Sequence, residues 1–420
     1  MGFELAHDEA YYWLYSRHLD WGFFDHPPFV GVIIKIFSFL PHSEFAVRIG
    51  FILLQFGSLL ILLKLTGVPL ITILLFFSFP LASFTGLLAL PDIPLLFMSA
   101  CYCFQLRKYL ENDSVKNSVL LGLIIALLFY AKYHGVLLVF FTMVAVPSLL
   151  FRQSFYLVAL SALISFFPHM WWQYAHDFST LRYHFIERPS SSFSFKRILE
   201  FIGLQVLLAG VFAGPIVWWT AWKHSCDSKF DRAMKFISFG SVLFFLISSF
   251  SKRVEANWTI YLAIPMIYLS VNSTLWERPW AKRILFSSFA LVLVARTLFI
   301  FSPQTIPLKR LGEFHGWKEW AQKVEASCGG LPLLANSYQI ASKLSYYLER
   351  DVDALNYHSR KNQFDYWRFD KDLPTKEVCY ITDKKQFQGE ELPTPEGKRI
   401  VVVKNLGLQG LWKLKYNEIR

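Results

Sequence analysis

The sequence predicts a polytopic all-α membrane bundle that carries a small α/β soluble domain at its C-terminal end. Three observations lead there. Apolar and aromatic residues make up 54% of the 420 positions and charged residues only 17%, against about a quarter charged in an ordinary soluble domain. The mean hydropathy is +0.36. The charges are also unevenly spread: residues 1–301 hold 39 of them, whereas the 119 residues of 302–420 hold 34. The two expected domains are therefore 1–301, membrane-embedded, and 302–420, soluble.

The chain opens on EAYYWLYSRHL, an aromatic amphipathic stretch suited to lying along a membrane interface. Asp25-His26-Pro27-Pro28 follows as a stiff turn before an apolar helix over 29–40. About ten apolar runs come next, near 45–63, 68–84, 93–106, 119–131, 136–151, 155–172, 198–222, 236–250, 258–271 and 284–301, set against the roughly 20 residues that cross a bilayer. AKYHG (131–135) reads as the turn between two of them. If the residues before Phe45 face outside, the inner loops carry 12 Lys/Arg and the outer loops 7, which agrees with the positive-inside rule. Ten crossings return the tail to the outside. There, GWKEWAQKVEAS and YQIASKLSYYLER have helical spacing, and LPLLA, EVCYIT and RIVVVKN read as short strands.

The net charge of +11 does not point to nucleic acid, because the cations sit between apolar runs and form no dense patch. The five cysteines make no CxxC pair or metal spacing. Only Cys328 and Cys379 suit a disulfide, and then only in an oxidising compartment. The opening MGFELAHDEAYYW has no basic-then-apolar leader.

The assumed topology puts six polar clusters on the outer face: Asp8-Glu9, Asp25-His26, Asp92, Lys132 with His134, the 176–197 loop, and Lys252-Arg253-x-Glu255. Ionisable groups beside hydrocarbon are costly and tend to face a cavity or pathway, so one site at the outer boundary is expected. Each cluster has a plainer explanation. Asp8 and Asp92 could be helix caps, Lys132 could snorkel to the interface, and Lys252 and Arg253 could be loop charges. Glu9 would point about 100° away from Asp8 on a helix, so only one of them suits a given proton.

DEAYYWLYSRHLDWGFFDHPPFVG (8–31), LPDIPLLF (90–97), AKYHGVLL (131–138), HDFSTLRYHF (176–185) and EANWTIYLAIP (255–265) together resemble the bacterial membrane glycosyltransferases related to protein O-mannosyltransferases and the lipid A aminoarabinose transferase. The tail segments ANSYQIASKLSYYL and NQFDYW are similar to the soluble end of that group. The resemblance implies a GT-C fold with interfacial helices and a polyprenyl-phosphate sugar donor. It implies a catalytic base at Asp8, with Glu9 beside it, and a second cavity-facing carboxylate at Asp92. Asp25, His26 and Lys132 match positions near the donor phosphate, and His134, Lys252 and Arg253 join them as candidates. Arg182, His184, Glu255 and Asn257, in matched segments, are candidate substrate contacts. Relatives carry a complete membrane helix before the Asp-Glu motif, whereas seven residues precede Asp8, so one more helix upstream is expected.

The implied reaction is inverting transfer of a sugar to a lipid, glycan or protein acceptor, on the outer face of the cytoplasmic membrane. No cofactor is firmly expected; a divalent cation on Asp25, His26 and His184 stays open, although these ligands are scattered. The rival readings are a transporter, which would set its charges near mid-membrane in paired broken helices, and a non-catalytic lipid-binding assembly protein.

Overall fold

The computed structural model describes residues 3–183, 193–301, 309–357, 360–367, 369 and 377–411. Its helices are α1 (His7–Arg17), α2 (Phe29–Ile36), α3 (Glu44–Thr66), α4 (Pro69–Ser78), α5 (Pro80–Phe84), α6 (Asp92–Glu111), α7 (Val115–Ala131), α8 (Gly135–Ala145), α9 (Gln153–Ala175), α10 (Ser179–Arg182), α11 (Phe195–Leu208), α12 (Gly214–Lys223), α13 (Lys229–Ser248), α14 (Ala263–Val271), α15 (Pro279–Phe301), α16 (Trp317–Cys328), α17 (Tyr338–Tyr347) and α18 (Phe364–Trp367). The chain packs as two compact units, one of residues 1–25, 31–47 and 298–420, the other of residues 26–30 and 48–297. A single cut after residue 301 is the expectation from charge alone.

In the helical unit and its flanks, α3, α9 and α15 are each long and apolar enough to cross a membrane. A bent pair, Pro69–Ser78 with Pro80–Leu87, has the length and composition of either a broken span or a re-entrant loop. The other apolar runs lie in helices that are shorter, such as α7 and α8, or that carry several charges, such as α6 and α13. Length and composition therefore support fewer full spans among the described residues than the ten runs suggest. The AKYHG turn falls where expected, between the end of α7 and the start of α8.

The bend between α4 and α5 has an identifiable cause. Pro80 opens α5 and cannot donate to the preceding turn, and the axis turns by 90°. Gln55, buried in α3, donates its side-chain amide to the carbonyls of Ala82 and Ser83. Gly86 makes room for it: a Cβ there would meet the Gln55 amide at 2.2 Å.

The other unit is built on a five-stranded sheet in the order β2-β1-β3-β5-β4, from β1 (Leu333–Ala335), β2 (Asp353–Ala354), β3 (Glu377–Thr382), β4 (Glu390–Glu391) and β5 (Val401–Gly407). β1 runs parallel to β2 and β3, and β5 is antiparallel to β3 and β4. Leu334, Leu355, Val378 and Tyr380 form its core. A disulfide joins Cys328, at the end of α16, to Cys379 in β3. The expected helices and strands of the tail are all present.

The N-terminal segment is knitted into this same unit, which is why the boundary departs from a single cut. The Glu4 carboxylate accepts the backbone N–H of Trp317 at 2.6 Å and of Lys318 at 3.0 Å, supplying the cap that Gly316 lacks at the start of α16. Lys343 of α17 is fully buried, and its ammonium donates to the carbonyls of Leu5 and Glu313 over the Trp317 ring. Gly31 lets α2 lie directly on α1, since a Cβ there would sit 2.8 Å from that of Tyr15.

Candidate active site

The first turn of α1 separates its two carboxylates. Glu9 is buried and accepts the backbone N–H of Ala6 at 2.8 Å, so it serves the helix start. Asp8 is exposed to solvent, and the residue at the cap position is Ala6. Asp8 is therefore not the cap, and of the two it is the one open to solvent. Tyr338 donates to Asp8 at 3.3 Å.

Protein mass around Asp8 strips away much of its hydration although the residue keeps an exposed surface. That loss, followed by the neighbouring charges of Glu313 and Asp25, raises its pKa to about 6, with His7 and the Tyr338 hydroxyl opposing the rise. Glu313 is anchored by accepting the His7 backbone N–H at 2.6 Å. His7 is paired with Glu396 at 3.0 Å, a contact that, with Lys398, holds the Glu396 carboxyl down at about 2.

Asp25 is buried and fully engaged. Arg360 donates to it at 2.6 Å and the Tyr11 hydroxyl at 2.7 Å. Tyr11 in turn accepts the backbone N–H of Gln363 at 2.7 Å, and Gln363 accepts that of Phe24 at 2.8 Å. Arg360 is about half exposed and stacks over Tyr338 at 5.6 Å. Arg360, Tyr338, Glu313 and Tyr11 were not singled out from the sequence; most lie over 300 residues from Asp8 and leave no local spacing signal.

A second cluster lies in the helical unit. Asp92 is the first residue of α6, between Pro91 and Pro94, where neither proline forfeits a helical hydrogen bond. Lys132 caps the C-terminus of α7. Its ammonium donates to Asp92 at 2.9 Å, and Asn257 donates to the other carboxylate oxygen at 3.1 Å. Both charged side chains are buried. Lys132 therefore does not snorkel, and Asp92, one residue past the Pro91 cap position, is an ion-pair partner rather than a cap. His134 opens α8 between the rings of Trp258, at 5.0 Å, and Phe245, at 5.7 Å.

The remaining candidates are more open. Arg253 is exposed and 3.5 Å from Glu255, as a loop charge would be, and Lys252 and His26 are partly buried. Arg182 is exposed on α10. His184 lies outside the described residues. Among the described residues no group of three or more His, Cys, Asp or Glu is arranged to hold a metal ion.

Residues 25–172 match the family model described as dolichyl-phosphate-mannose-protein mannosyltransferase. A curated relative, the lipid A galacturonosyltransferase RgtD of Rhizobium johnstonii, is 25% identical over 299 residues, which span 62% of this chain and 60% of that protein. The chain thus aligns with about three fifths of that relative's length, 60%. Among solved structures, ArnT from Cupriavidus metallidurans in the apo state superposes with a TM-score of 0.67 at 14% identity, covering 98% of this chain and 95% of that one. The same protein bound to undecaprenyl phosphate also gives 0.67 at 14% identity, covering 96% and 94%. Family match, relative and fold agree: the chain carries the GT-C fold and is similar to bacterial GT-C membrane glycosyltransferases.

Proposed function

We propose that the protein transfers a sugar from a polyprenyl-phosphate donor to a lipid, glycan or protein acceptor on the outer face of the cytoplasmic membrane, with inversion at the anomeric carbon. The observation that carries this reading is Asp8: an accessible carboxylate whose proton affinity is raised to about 6 by its surroundings, as suits a general base near neutral pH. The names of the relatives support the substrate class, since RgtD is a lipid A galacturonosyltransferase and ArnT was solved with undecaprenyl phosphate.

In the proposed step an acceptor oxygen or nitrogen attacks the anomeric carbon as the bond from that carbon to the phosphate oxygen breaks. The nucleophile's proton passes to Asp8, and the bonding pair leaves with polyprenyl phosphate. Lys132, with help from Lys252 or Arg253, is assigned to the charge on the departing phosphate. Asp92 and Asn257 keep the Lys132 ammonium in one place, and Glu9 keeps the first turn of α1 formed. Asp25, His26 and His134 remain assigned to the donor phosphate, and Arg182, His184, Glu255 and Asn257 to substrate contact.

Purified protein in lipid vesicles, offered a panel of polyprenyl-phosphate sugars, tests this. Transfer to a lipid or glycan acceptor that disappears in Asp8→Asn is the expected result. Movement of a solute across the vesicle with no transfer from any of these donors would overturn it in favour of a transporter.

A further inference from the structure

A polar hollow lies on the side of α1 away from Asp8. With about 100° per residue, Trp13 lies about 140° around the helix from Asp8, and Arg17 about 180°. On that side Trp13, Ser16, Arg17, Lys35, Ser38 and His42 line a cavity of about 240 Å³, far above the roughly 10–15 Å³ that a single water needs. No carboxylate is among its lining residues, and two of them are permanent cations.

Of these cations, Arg17 shares one carboxylate with a histidine and Lys35 is the less engaged. Among the described residues Lys35 has no acidic partner. Arg17 stacks over Trp13 at 5.1 Å and meets Asp351 only at 3.7 Å, while Asp351 has a closer partner in His18 at 3.0 Å. His42 is set in place by Tyr346, with its Nε2 at 3.2 Å from that carbonyl. The three serine hydroxyls Ser16, Ser38 and Ser43 add polar groups to the lining. Residues interleaved with the lining point elsewhere and are apolar: Ile36 is 57% exposed and Phe39 is 77% exposed. A cationic hollow bordered by exposed apolar side chains fits an amphiphile with an anionic head.

We propose that this cavity binds the phosphate headgroup of an anionic membrane lipid, whose acyl chains cover Ile36 and Phe39, and that this lipid is not the reacting one. Arg17 offers planar donors and Lys35 a point charge to the phosphate oxygens. Free phosphate shares that chemistry, but it gives no reason for the apolar border.

Native mass spectrometry of the full chain, released from vesicles of phosphatidylglycerol mixed with phosphatidylcholine, tests the assignment. Wild type should retain phosphatidylglycerol in preference. Arg17→Gln and Lys35→Gln should each lower its retention roughly fivefold, the scale set by one basic residue at an anionic membrane surface. Arg17→Lys and Lys35→Arg, which keep the charge, should restore most of it, and this separates lost binding from lost folding. Inorganic phosphate at millimolar concentration should not displace the lipid. Equal retention of the two lipids, unchanged retention in both glutamine variants, or full displacement by inorganic phosphate would each overturn the proposal.

Discussion

Lys132, at the C-terminal cap of α7, places its ammonium 2.9 Å from the carboxylate of Asp92, the first residue of α6. The cation sits at the negative end of one helix dipole and the anion at the positive end of another, so each is favoured before they meet. Removing one partner leaves a buried charge unpaired. Lys132→Ala and Asp92→Asn should each lower stability by about 3–5 kcal/mol, and the double variant by clearly less than the sum. Thermal unfolding of the four proteins in detergent gives the coupling; strict additivity would mean that the pair contributes nothing.

Asp8→Asn should reduce turnover at least 100-fold, the lower end of about 10²–10⁴ for a general base, with the fold retained. The helix start is held by Glu9 instead, so circular dichroism and melting should show no loss. Turnover within a few-fold of wild type would remove Asp8 from the chemistry.

The pH profile follows from the sign of the Asp8 shift. A base must be unprotonated, so kcat/KM should rise with pH through about 6 and level off above it. Glu313→Gln removes one of the charges that raise the pKa, and it should move this limb to lower pH. Because the folded protein holds the proton more tightly than the unfolded chain, the Asp8 contribution to stability falls as pH rises from about 3.8 to about 6. Asp8→Asn should flatten that part of the stability curve. A limb that stays in place in Glu313→Gln would contradict the assignment.

The Cys328–Cys379 bridge closes a loop across 51 residues. On the chain-entropy account its loss should cost about 4 kcal/mol, so Cys379→Ser should melt earlier, and a reductant should have the same effect on wild type. A melting temperature indifferent to both would show the bridge to be unformed in the native protein.

Much of this was legible in the sequence, and the rest was hidden for physical reasons. The strands EVCYIT and RIVVVKN, the AKYHG turn and the helix 317–328 follow from local periodicity, which is written along the chain. Asp8 and Asp92 stand out because ionisable residues beside aromatic and apolar runs are rare. Arg360 against Asp25, Tyr338 against Asp8 and Glu4 on the start of α16 are contacts across more than 300 residues, and nothing in spacing foretells them. The count of spans was obscured for a related reason, since an apolar run of 17 residues such as 68–84 reads the same whether its helix is straight or turned through 90°.

That turned segment bears on how the protein is made. Neither α4, of 10 residues, nor α5, of 5, is long enough to cross hydrocarbon by itself, and the carbonyls of the buried residues Ala82 and Ser83 accept from a side chain outside their own segment. Gln55 is that donor, and it is carried by the helix synthesised just before. The seating of 69–87 therefore depends on α3, whose Gln55 side chain must face the bend for these two bonds to form. A cell making a Gln55→Leu chain should accumulate a species stalled with 69–87 still outside the bilayer, a defect of biogenesis rather than of chemistry.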